Sequence, residues 1–63
     1  MPLTVEVEVE TDGRWLAEVM ELTGVMAYGT TRVEAVKRVQ ALALRVLVDR
    51  LDHGEPVPTF STK

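Results

Sequence analysis

From Leu3 to Glu10 apolar and polar residues alternate, with Leu3, Val5, Val7 and Val9 on one face and Thr4, Glu6, Glu8 and Glu10 on the other. This period of two is the signature of a half-buried strand. Asp12-Gly13 follows, a pair that tolerates the backbone of a tight turn. Alternation then resumes from Arg14 to Glu21, with Trp15, Ala17 and Val19 facing oppositely to Leu16, Glu18 and Met20. Two alternating runs around Asp-Gly predict a hairpin. Thr23 and Gly24 interrupt the second run, and Val25 to Gly29 reads as a short third strand, which supplies the support that an isolated hairpin lacks.

The period then lengthens. Thr31 stands three residues before Glu34, the spacing of a capping box in which the threonine side chain accepts the Glu34 N–H and the glutamate returns to the Thr31 N–H. Val36, Val39, Ala43, Val46 or Leu47, and Leu51 recur at helical spacing without an intervening glycine or proline. They predict a helix of about twenty residues, roughly 30 Å long, with these positions toward the sheet. His53 and Gly54 end it, because glycine accepts the left-handed exit and Pro56 cannot continue the ladder. The same helix carries a second apolar flank of Ala35, Ala41, Leu42, Leu44 and Val48, more than one face of a small sheet should cover, and so predicts self-association. Pro56 and Pro58 make an extended link, after which Val57, Thr59, Phe60 and Thr62 can form a final strand on the sheet edge or across to a second subunit.

The expectation is therefore a single α+β domain spanning residues 1–63. It has a three-stranded antiparallel sheet, one long helix on one face and a short C-terminal strand (β-β-β-α-β). It should form a homo-oligomer, a dimer or tetramer, through Leu42, Leu44, Val48 and Phe60.

Size bounds the rest. A chain of 63 residues and 7.0 kDa buries only about 60% of its extended surface and has room for one thin core, which excludes a two-domain enzyme. Residues 1–21 hold one basic and six acidic groups, a balance of −5, while the remainder holds six basic and four acidic groups, so the net charge of −3 hides a polarised molecule. An acidic face repels phosphate backbones and attracts cationic surfaces. There is no cysteine, hence no disulfide or thiolate chemistry. With no basic start before an apolar run and no long apolar stretch, neither a signal peptide nor a membrane span is expected, and cytoplasm is the expected location.

Few residues are equipped for catalysis. His53 is the only histidine and sits at the expected helix end; Ser61 is the only serine and lies in the tail. A triad would have to assemble from these two on the chain's periphery. Glu6, Glu8 and Glu10 fall about 7 Å apart along one strand face, and Glu18 can join them from the neighbouring strand. That is a weak metal site without further ligands, and it reads first as a solvent-facing acidic patch. The glycines are scattered at 13, 24, 29 and 54 and form no phosphate-cradling loop. No catalytic residue, cofactor or metal is expected, nor direct nucleic-acid binding. Glu6, Glu8, Glu10 and Glu18, with Trp15 and Tyr28 as anchors, instead predict a surface for a basic protein partner.

The segment from Asp12 to Val25, DGRWLAEVMELTGV, followed by YGTTRVEAV from Tyr28 to Val36 and the long helix, resembles the HicB-like antitoxin family over about residues 3 to 60. Gly13 with Trp15, Ala17 to Val19, Leu22 to Val25, and Thr31 with Glu34 and Ala35 match its elements. Thr23, Val25 and Val33 stand where the family usually has proline, cysteine and the first of paired glutamates. The resemblance implies a compact fold likened to a reduced ribonuclease H fold, and a non-catalytic antitoxin that covers a small, basic, messenger-RNA-cleaving HicA-like toxin. Family members commonly add a C-terminal DNA-binding segment, which has no counterpart in these residues, so autoregulatory DNA binding is not expected. Two other readings are an orphan oligomeric structural or regulatory protein without a toxin, and a remnant metal-dependent nuclease or RNA-binding domain using Glu6 and Glu8.

Overall fold

A computed structural model describes residues 3–55. Three strands, β1 (Val5–Val9), β2 (Trp15–Val19) and β3 (Met26–Gly29), precede one helix, α1 (Arg32–Asp52). The sheet is antiparallel throughout, in the order β1-β2-β3. Registers pair Val5 with Val19 and Val9 with Trp15, and then Trp15 with Gly29 and Glu18 with Met26. The expected final strand and Phe60 lie outside the described residues.

Local chemistry accounts for both strand connections. At the hairpin the Asp12 carboxylate accepts the Arg14 N–H at 3.1 Å and Gly13 takes φ 88°, a left-handed conformation that costs a residue with a Cβ roughly 1–2 kcal/mol. Between β2 and β3, Leu22 N–H donates to the Val19 carbonyl and Val25 N–H to the Leu22 carbonyl. These tight turns fold Leu22 inward, and it is among the largest fully buried side chains.

Thr31 Oγ1 accepts the Glu34 N–H at 3.1 Å, as the spacing predicts. The return half of the box differs: Glu34 Oε1 accepts from the Thr30 N–H at 2.8 Å rather than from Thr31. Thr31 is extended, at φ −131° and ψ 162°, and the amide within the glutamate's reach belongs to the preceding residue. At the other end Glu55 N–H reaches the Arg50 carbonyl and Gly54 N–H the Leu51 carbonyl, with Gly54 at φ 73°. This is the paired-bond exit that glycine permits.

The core lies between one sheet face and α1. Ala17, Val19, Leu22 and Val25 meet Ala35, Val39, Ala43 and Leu47, with Leu3, Val5, Trp15, Ala27, Leu42 and Val46 half-buried around them. Three helix assignments need correction, one of them Leu42, expected on the outer flank but half-buried against the core. Ala35, placed by the sequence pattern on the outer flank, is fully buried, and Leu51, placed in the core stripe, is 51% exposed. The buried positions recur strictly every four residues, and the helix outruns the sheet. Twenty-one residues of α1 extend about 31 Å against about 17 Å for a five-residue strand, so among the described residues the sheet does not reach beneath Leu51. The first turn packs closest. Gly29 lies directly under Ala35, where a Cβ would stand only 2.5 Å from the Ala35 nitrogen. Among the described residues no helix is long and apolar enough to cross a membrane.

Candidate functional site: the uncovered sheet face

Because strand side chains alternate, the face of the sheet turned from α1 is composed of every second residue. Register sets them in rows. Glu6 lies opposite Glu18, which lies opposite Met26; Glu8 lies opposite Leu16, which lies opposite Tyr28. Directly opposed side chains have Cβ atoms about 5 Å apart, so Glu6 and Glu18 form a like-charged pair on the open face. Glu6, Glu8, Leu16, Glu18 and the backbone at Val7 enclose a shallow hollow of about 120 Å³.

The one basic residue of this half of the chain is already committed. Arg14 Nε contacts Asp12 Oδ2 at 2.8 Å, and its guanidinium carbon sits 4.4 Å from the centroid of the Tyr28 ring, within the range of a cation–π contact. Tyr28 Oη donates to Glu10 Oε1 at 3.5 Å. Arg14, Tyr28 and Glu10 therefore close one end of the face, and Glu6, Glu8 and Glu18 form no ion pair among the described residues. The Asp12 carboxyl is held below its usual range, first by the Arg14 N–H that it accepts.

Of the residues expected in the partner surface, Glu6, Glu8, Glu10, Glu18 and Tyr28 share this face. Trp15 does not. It pairs with Val9 and Gly29 and packs half-buried against the core on the helix side, where the period of two puts it. The apolar part of the face is instead Leu16, Met26 and Tyr28, with Met26 43% and Tyr28 41% exposed. Leu16 and Met26 were legible as a signal, since each is an apolar residue on the polar side of its strand. Their convergence with the carboxylates needed the register.

A second surface lies along α1. Leu44 and Val48 are exposed, as expected for the outer flank, and Leu51 extends their stripe. Leu42 is not part of it: its side chain is half-buried against the core. Phe60 falls outside the described residues. His53 caps α1, its ring Nδ1 2.8 Å from the Asp49 carbonyl oxygen, remote in sequence from the strand carboxylates. No group of three or more His, Cys, Asp or Glu side chains is placed to hold a metal ion among the described residues.

The chain matches no protein-family model, curated protein or solved structure. The chemistry of the exposed faces therefore carries the functional argument.

Proposed function

We propose that this chain is a non-catalytic, antitoxin-like binding module that covers a small basic protein with the open face of its sheet. The observation that carries this reading is the combination on one face of Glu6, Glu8 and Glu18, without ion pairs among the described residues, and an apolar set of half-buried Leu16 with exposed Met26 and Tyr28. Unneutralised carboxylates accelerate encounter with a cationic surface, and desolvated apolar and aromatic contacts supply the affinity that exposed charge alone does not. A messenger-RNA-cleaving toxin of the HicA-like class has the required surface, since a protein that binds RNA is basic where it binds. In this reading the module acts in the cytoplasm without a cofactor. Its fold is the HicB-like, reduced ribonuclease H-like arrangement with a short C-terminal strand.

Coexpression with the product of the neighbouring small open reading frame, if that product is basic, tests the proposal. The expected result is a stable complex with the ribonuclease silenced, weakened about tenfold or more by Tyr28→Ala or by Glu6→Lys with Glu18→Lys. Failure to form a complex, with ribonuclease activity unchanged, refutes it. The exposed stripe of Leu44, Val48 and Leu51 favours a second reading, an orphan oligomer assembled through α1. That reading expects concentration-dependent mass and no basic partner.

A further inference from the structure

Charge on α1 runs against the helix dipole. Residues 32–38 hold Arg32, Lys37 and Arg38 against Glu34, a balance of +2, while residues 49–55 hold Arg50 against Asp49, Asp52 and Glu55, a balance of −2 with His53 neutral. A helix is stabilised by the opposite arrangement, acidic at its start and basic at its end. Arg38 is engaged within the chain, 3.4 Å from Glu34 Oε1 and donating to the Tyr28 carbonyl at 3.0 Å. Lys37, Asp52 and Glu55 form no ion pair among the described residues. Nothing among the described residues of one copy offsets this arrangement.

The outer side of the helix has its own period. Lys37, Ala41, Leu44, Val48 and Leu51 are all exposed and recur at intervals of four, three, four and three, the spacing of a coiled-coil seam. At 100° per residue this seam lies about 140° round the helix from the buried row of Ala35, Val39, Ala43 and Leu47. It points away from the sheet. An open groove of about 320 Å³, lined by Leu3, Val5, Val19, Gln40, Ala43 and Leu44, runs beside it, and Leu44 belongs to both. The core beneath is thin: of the eight apolar side chains buried among the described residues, three are alanines, Ala17, Ala35 and Ala43. Little apolar area leaves the water within one copy, which favours a second burial surface.

Charge chooses the occupant and its direction. A second copy laid antiparallel along the seam sets each basic end of α1 beside an acidic end, whereas a parallel copy sets like ends together. With Leu44 of one copy against Val48 of the other, two-fold symmetry brings Ala41 against Leu51. Lys37 then reaches the end of the second helix that carries Asp52 and Glu55. Arg45 approaches its own copy beside the two-fold axis, and Asp49, one turn on and at the spacing of an i,i+4 pair, moderates that contact.

We propose that α1 pairs antiparallel with α1 of a second copy through Ala41, Leu44, Val48 and Leu51, with Lys37 facing Asp52 and Glu55 across the interface. This pairing rests on the reading of α1 as an assembly surface and adds its direction; it leaves the open sheet face of both copies free. Light scattering and sedimentation from about 10 μM to about 1 mM test it on the full chain, with charge reversal as the probe. The expected result is a mass that rises to twice that of the chain. Lys37→Glu should weaken the dimer about tenfold, and adding Asp52→Lys and Glu55→Lys should restore it to within about threefold. These reversals complement the dipole of the helix that carries them, so circular dichroism of dilute samples should show each variant folded. The chain has no cysteine, so a spin label at Val33→Cys is unique. Two such labels should lie about 40 Å apart in the antiparallel pair, against about 10 Å in a parallel one. A chain that stays monomeric throughout would overturn both the pairing and the reading of α1 as an assembly surface. A dimer indifferent to Lys37→Glu, not restored by the compensating reversals, or with the labels about 10 Å apart would overturn the antiparallel pairing alone. None of these outcomes depends on the basic partner.

Discussion

Substituting alanine at Gly29 introduces a single methyl group into the tightest contact of the fold. The new Cβ would lie 2.5 Å from Ala35 N and 3.0 Å from both Ala35 Cα and Glu34 C. All three are backbone atoms of the first helical turn, and none can rotate aside. Relief requires moving the start of α1 away from β3 by close to 1 Å, which loosens Ala35 and Val39 over the sheet; overpacking of this kind costs about 1–3 kcal/mol. Gly29 does not have a positive φ, so the cost is one of space, and alanine returns about 0.4–1 kcal/mol by restricting the unfolded chain. The net expectation is a loss of about 1–2 kcal/mol. In a domain of this size, with a total stability of about 3–9 kcal/mol, that corresponds to a fall in Tm on the order of 10 °C. Urea unfolding of Gly29→Ala is the assay, with Gly13→Ala, at a positive φ in open space, as the control for backbone conformation. Adding Ala35→Gly should not rescue Gly29→Ala, because the obstructing atoms belong to the main chain. A change of less than about 0.5 kcal/mol, or full rescue by Ala35→Gly, would refute the close-packing argument.

Three further outcomes are expected. Thr31→Ala removes the acceptor of the Glu34 N–H and should lower stability by about 1 kcal/mol in chemical denaturation, with no change in the slope of the transition. Glu21 and Glu34 accept the Thr4 and Thr30 N–H groups, and these contacts hold both carboxyls below their ordinary value of 4.5. Since the folded values are the lower ones, their contribution is complete above that value and disappears as pH falls through the folded values. Urea midpoints measured from about pH 6 down to about pH 3 should therefore fall less in Glu21→Gln with Glu34→Gln than in the native chain, and parallel profiles would contradict the assignment. Leu44→Ser with Val48→Ser alters side chains that are 64% and 56% exposed. Stability should change by less than about 1 kcal/mol in total, while any concentration-dependent increase in light-scattering mass is abolished; retained assembly would exclude this flank as the interface.

Strand positions, the hairpin turn and both helix ends were legible because each depends on residues a few places apart. Alternation from Leu3 to Val19 needs only the pleat, the Thr31 cap only the next three residues, and the Gly54 exit only a residue without a Cβ. The acidic side of β1 was equally legible from its period of two. Assigning Trp15 to that surface went beyond the pattern, since the same period places it with Val19 and the core. Leu51 was misplaced because helical periodicity states which side a residue faces and not whether anything lies there.

The sequence by itself determined which side chains share a face of each element, since that follows from backbone geometry. Only the tertiary structure decided which faces meet. Register set Glu6 against Glu18 and Leu16 against Tyr28, the missing Cβ of Gly29 let α1 settle over β2 and β3, and that placement left one edge of β1 and the end of the helix without a neighbour among the described residues. These outcomes rest on distances between residues far apart in the chain, and local propensity carries no information about such distances.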